Sequence, residues 1–186
     1  MTHLLIAYDT IEGQARKIAQ HVADAVATTE HQVELREIRK LPSGFSLNRF
    51  GAVIVGASIH MGRHSKRLLK FVSQHRADLE RIPSAFFSVS LSAAGTEDER
   101  RQAGEYVSEF LRQTGWKPQS TATFGGGLRY REYGFFKRWM MTKIAREAGK
   151  DTNTSRNYEY TDWTVVDHFV KDFLAATTPG KRQDGN

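Results

Sequence analysis

The chain has 186 residues, with 27 Lys and Arg against 21 Asp and Glu for a formal net charge of +6, and no cysteine. That length suits one domain, and 39% hydrophobic with 26% charged residues excludes disordered and fibrous architectures. The missing cysteine excludes disulfides, thiolate metal sites, chain-ligated iron–sulfur clusters and Cys nucleophiles, so any redox chemistry must ride on a bound cofactor.

Short β-type runs alternate with helical patterns along the chain. Leu4 to Tyr8 reads as a buried strand. Gly13 to about Val26 reads as a helix, with Ala15, Ile18, Ala19, Val22, Ala23 and Val26 on one stripe. Gln32 to Ile38 suits an edge strand, and Ala52 to Ala57 a second buried one. Ser65 to Leu79 is helical with a basic outer face, and Pro83 introduces a strand over Ser84 to Leu91. Glu97 to about Thr114 is the next helix, stopped by Gly115. Thr121 to Phe124 is a short strand leading into three glycines. Residues from about Phe135 to Ala148 read as helical, and Asp162 to Ala175 as the final helix, capped by Thr161 or Asp162. Pro179 to Asn186 is polar and reads as a disordered tail. Strands alternating with helices imply βαβ units, a parallel sheet and a single α/β domain over residues 1–178.

In such sheets ligands bind beyond the C-terminal ends of the strands, at a switch in strand order. Three loops are therefore candidates. Asp9 to Ala15 joins the first strand to the first helix, where free backbone N–H groups suit a phosphate; Thr10 and Gln14 add donors and Gly13 permits close approach. Neither a GxGxxG nor a Walker lysine motif is present. Gly56 to Gly62 frames an apolar and aromatic pair suited to a flat ring, and Ser88 to Gly95 offers small residues that expose backbone groups. His60 and His64 have metal-ligand spacing but no third ligand nearby, so no metal is expected. Trp116 and Trp163 read as packing residues.

Gly56-Ala57-Ser58-Ile59, Pro83 to Val89, Gly127-Leu128-Arg129-Tyr130 and Tyr160-Thr161-Asp162-Trp163 resemble the flavodoxin-like, quinone-dependent protoporphyrinogen IX dehydrogenases (oxidases), over about His3 to Ala175. The resemblance implies a doubly wound five-stranded parallel sheet in the order 2-1-3-4-5, with helices on both faces and a basic helical insertion after strand 5. It implies a noncovalent FMN, its phosphate on Thr10, Ile11, Glu12, Gly13, Gln14 and Ala15. Ser58, Ile59, His60, Met61 and Gly62, with Ser90, Leu91, Ser92, Ala93 and Ala94, would flank the ring. It implies oxidation of protoporphyrinogen IX to protoporphyrin IX in haem biosynthesis, by two-electron steps, with a membrane quinone reoxidising the flavin. The flavin carries that chemistry, so no catalytic side chain is expected.

Two positions depart from the family. Its phosphate loop usually begins with Ser and ends with Thr, where this chain has Asp9 and Ala15. A carboxylate ~4 Å from a phosphate charge costs about 4 kcal/mol at an effective dielectric of ~20. Asp9 is therefore expected to turn outward or bond a nearby backbone N–H, with weaker FMN retention as the consequence.

Residues 128–150 hold seven Lys and Arg against Glu132 and Glu147, a local balance of +5 that leaves +1 for the rest. Arg129, Arg131, Lys137, Arg138 and Trp139 are the candidates there for substrate or membrane contact, among interleaved aromatics. The expected partners are protoporphyrinogen IX, a membrane quinone and an anionic membrane surface, with a homo-oligomer left open. Nucleic acid is not expected, since no reading motif accompanies the basic segment. Met1 to Asp9 lacks a basic n-region, and no run approaches the ~18 apolar residues of a spanning helix. The expected location is cytoplasmic, peripheral on the inner membrane. The competing readings are a flavodoxin-type electron carrier, an FMN-dependent quinone reductase, and a binding module without FMN.

Overall fold

Three runs of almost unbroken apolar residues need cover on both faces, which only a central position in a parallel sheet supplies. They become β1 (His3–Asp9), β3 (Ala52–Ser58) and β4 (Ser84–Ser90), flanked by β2 (Gln32–Glu37) and β5 (Ser120–Gly125). The computed structural model describes residues 1–128, 146, 153 and 155–177. Every strand pair in this sheet is parallel, and the order is β2-β1-β3-β4-β5. The predicted sheet is the observed one.

The helices are α1 (Gln14–Ala27), α2 (Lys66–Arg81), α3 (Glu97–Thr114) and α4 (Trp163–Thr177). Alternate residues of each strand feed two separate cores. Leu4, Ile6, Ile54 and Phe87 pack under α1 and α4, while Leu5, Val53, Val55 and Phe86 pack under α2 and α3. Ser65 caps α2 by accepting from the Leu68 N–H at 3.1 Å, and Thr96 with Glu99 forms a capping box on α3. Gly115 ends α3 in the left-handed region, as its position predicts.

Several details depart from the sequence reading. β2 stops at Glu37, because Ile38 turns inward at the start of a 3₁₀ turn over Ile38–Lys40. The final helix runs two residues beyond Ala175. Its cap is Asp162, whose Oδ1 accepts from the Thr164 N–H at 3.0 Å. Thr161 is used elsewhere. Two short strands, β6 (Gly127–Leu128) and β7 (Tyr158–Glu159), pair antiparallel beyond the end of β5. Trp116 is fully buried and donates from Nε1 to Ser84 Oγ at 3.2 Å, a packing role as read. The predicted helix near 135–148 and the tail from 179 lie outside the described residues.

Candidate functional site

The chain leaves β1 for β2 on one side and later for β3 on the other, so the switch point lies beyond the ends of β1 and β3. A cleft of about 290 Å³ opens there. The loop after β1 contributes Ile11, Glu12 and Gln14; the loop after β3 contributes Ser58, Ile59, His60, Met61 and Gly62; the end of β4 contributes Ser90, Leu91 and Ser92. The three predicted loops thus converge on one cavity. Thr10, Gly13, Ala15, Ala93 and Ala94 are not part of this lining: Gly13 opens instead onto a neighbouring cavity with Arg16 and Lys17, and Ala15 is a fully buried residue of α1.

The first loop is built to present backbone N–H groups. Gly13 sits at φ 87 as the N-cap of α1, a conformation that strains any residue with a Cβ. Thr10 Oγ1 accepts from the Gly13 N–H at 2.8 Å and holds the turn closed. No side chain caps α1, so its first-turn N–H groups are left open to an anion, with the positive end of the helix dipole behind them. Gln14 is committed sideways: its Nε2 donates to Thr161 Oγ1 at 2.8 Å, and that hydroxyl donates to the Gly125 carbonyl at 2.7 Å. This relay ties the loop to the end of β5.

Asp9 behaves as the charge argument requires. It is 3% exposed and its carboxylate is turned toward α2, away from the cleft lining. Oδ2 accepts from the Ser65 hydroxyl, and Oδ1 accepts from Arg67 Nε at 2.9 Å and a terminal guanidinium nitrogen at 2.8 Å. Its partners are side chains of the next βα unit rather than the nearby backbone.

The second loop is a tight reversal. His60 and Arg63 exchange backbone hydrogen bonds at 3.0 and 3.3 Å around Met61 at φ 50 and Gly62 at φ 75, both left-handed, as a type I′ turn demands. Met61 is 82% exposed at the cleft rim. Beneath it His64 is buried against Phe86 and Phe110, with Nε2 3.0 Å from Ser88 Oγ. Burial pushes its pKa down to about 4, so it is a neutral core histidine at physiological pH. No group of side chains able to hold a metal occurs among the described residues.

Val89, from the candidate loop Ser88 to Gly95, and Gly127, from the Gly127–Tyr130 motif, also line the cleft, together with Tyr106 and Gly126, which belong to neither. Tyr106 comes from α3, and nothing in its helical neighbourhood signals a site. The glycines did carry a signal: a Cβ on Gly126 would lie 3.3 Å from the Ser90 carbonyl carbon and 3.5 Å from the Leu91 nitrogen. The bare backbone there lets the end of β5 lie flat on the β4 loop, forming a floor without side chains. Uncapped N–H groups of α1 and a mostly apolar cleft beside them are a set that fits FMN. Arg129, Arg131, Lys137, Arg138 and Trp139 lie outside the described residues.

Residues 5–155 match the flavodoxin domain model. Over 172 residues the chain is 33% identical to the protoporphyrinogen IX dehydrogenase [quinone] of Leishmania major, covering 92% of this chain and 74% of that protein. The Escherichia coli K12 protein of the same name is 31% identical over 173 residues, covering 93% and 95% of the two chains. The chain belongs to the flavodoxin-like protoporphyrinogen IX dehydrogenase family. Among solved structures, oxidised flavodoxin 1 from Bacillus cereus superposes with a TM-score of 0.56 at 16% identity, over 93% of this chain and 97% of that one. That likeness is one of fold. As a family member, the chain is an oxidoreductase built on an FMN-binding domain.

Proposed function

We propose that this chain oxidises protoporphyrinogen IX to protoporphyrin IX, holding FMN in the switch-point cleft and passing electrons to a membrane quinone. The observation that carries the reading is the convergence of three separate loops on one cleft, headed by an uncapped helix, in a chain related throughout to enzymes of that name.

When bound, FMN supplies two-electron redox chemistry. The chain positions it. First-turn N–H groups of α1 would hold the phosphate, and the Thr10–Gly13 bond keeps their loop in shape without a ligand. Ile59, His60 and Met61 on one side and Leu91 and Ser92 on the other would flank the ring. Gly126 and Gly127 let the backbone after β5 pack closely on Ser90, Leu91 and Tyr158, and both line the cleft. We assign Arg129, Arg131, Lys137, Arg138 and Trp139 to the substrate, whose two propionates call for cations and whose macrocycle calls for aromatic cover.

Anaerobic rapid mixing tests the sequence of events. Protoporphyrinogen IX should bleach the visible flavin absorbance of the FMN-loaded chain, and a quinone should then restore it. Bleaching only by an added reductase, with none by the porphyrinogen, would identify an electron carrier instead.

A further inference from the structure

The +1 left outside residues 128–150 is a sum of opposites. Residues 36–76 carry nine Lys and Arg against a single acid, Glu37, a local balance of +8. They fold into one region: the end of β2, the 3₁₀ turn Ile38–Lys40, the crossing to β3, and α2. Some of these cations are neutralised. Arg36 and Arg49 pair with Glu34, Arg39 and Lys40 with Glu37, and Arg67 with Asp9. Arg63, Lys66 and Lys70 are exposed and have no acidic partner among the described residues.

A groove of about 560 Å³ runs between this crossing segment and α2. Leu41, Pro42, Phe45 and Phe71 form an apolar strip within a lining that is otherwise mostly polar, and Arg67 and Lys70 stand along its helix side. Leu41 and Phe45 are only half-buried. Cations around a half-exposed apolar strip are what binds the headgroup region of an anionic bilayer, the cations to lipid charge and the strip to the acyl boundary. A nucleic acid would use the cations and leave the apolar strip wet.

We infer that the α2 face, with its flanking 38–45 segment, is a docking surface for anionic phospholipid membranes. The surface begins where the cleft ends, since Gly62 lines the cleft and Arg63, Lys66 and Arg67 follow directly. Docking here would bring the cleft mouth to the bilayer, where a quinone resides. That purpose rests on the proposed function; the lipid binding itself does not.

Vesicle co-sedimentation of the full chain tests it, comparing phosphatidylcholine alone with phosphatidylcholine mixed with phosphatidylglycerol. The chain should bind only the anionic vesicles, less at high salt. Lys66→Gln with Lys70→Gln should weaken binding roughly 30-fold, from about 1 kcal/mol per surface cation. Arg101→Gln with Lys171→Gln removes the same charge from exposed sites on α3 and α4 and should change binding less than threefold, on the order expected from net charge alone. Unchanged melting temperatures would show that both variants fold. Equal losses in the two pairs, wild-type binding by the α2 pair, or capture of oligonucleotides without vesicles would each overturn the inference. Porphyrinogen oxidation in detergent reads the proposed function separately.

Discussion

Asp9 and Arg67 form the most consequential pair in the site. The carboxylate is buried, the guanidinium is partly exposed, and the two lie 58 residues apart in the chain. Removing Arg67 strands a buried negative charge beside the loop that would hold a phosphate. Arg67→Ala should therefore weaken FMN binding about tenfold and cost about 1–3 kcal/mol of stability, at the lower end because solvent already screens the pair. Asp9→Ser in the same background should recover most of the affinity, while Asp9→Ser alone should change it by less than about tenfold, since Arg67 already neutralises the charge. Isothermal titration of the four proteins with FMN closes the cycle; strict additivity would contradict it. His64 supplies a pH prediction. Its folded pKa of about 4 lies below the ordinary 6.5, so the unfolded chain takes up the proton first and stability falls as pH drops from about 6.5 toward 4. The loss should reach about 3 kcal/mol by pH 4, read from urea midpoints. His64→Phe, matching the rings of Phe86 and Phe110, should flatten that slope at about 1 kcal/mol for the orphaned Ser88 hydroxyl.

Among the elements, the turn over His60–Arg63 trades stability for an apolar rim. Met61 adopts a left-handed conformation that asparagine tolerates far better. Met61→Asn should stabilise the apo chain by about 0.5–1 kcal/mol in denaturant titration, while FMN binding weakens through the lost rim contact. A destabilised variant would show that Met61 packs rather than strains. The apolar runs made β1, β3 and β4 visible from sequence, and the switch-point rule then located three of the cleft's walls. What stayed hidden depends on distant partners. β6 and β7 are two-residue strands about thirty positions apart, too short for any periodic signal. Gln14 reads as a phosphate donor until Thr161, brought back by α4, takes its amide. Tyr106 looks like any residue of an amphipathic helix. Gly126 and Gly127 were visible, but only packing against Ser90 and Tyr158 shows why a side chain cannot stand there.

At the scale of the molecule, net charge conceals more than it tells. A total of +6 contains two strongly basic stretches, 36–76 and 128–150, and a surplus of acid everywhere else. Only the fold shows that segment 38–45 and α2, both within the first stretch, line one groove. No described helix is long and apolar enough to cross a membrane. The sheet order fixes where the cofactor cleft can be, and the basic face lies next to it. Porphyrin fluorescence during anaerobic incubation of the FMN-loaded chain with protoporphyrinogen IX tests the central claim most directly. Fluorescence should rise only when both FMN and a quinone are present, and should stop when the quinone is spent. A rate no faster than that of free FMN with the same quinone would contradict it.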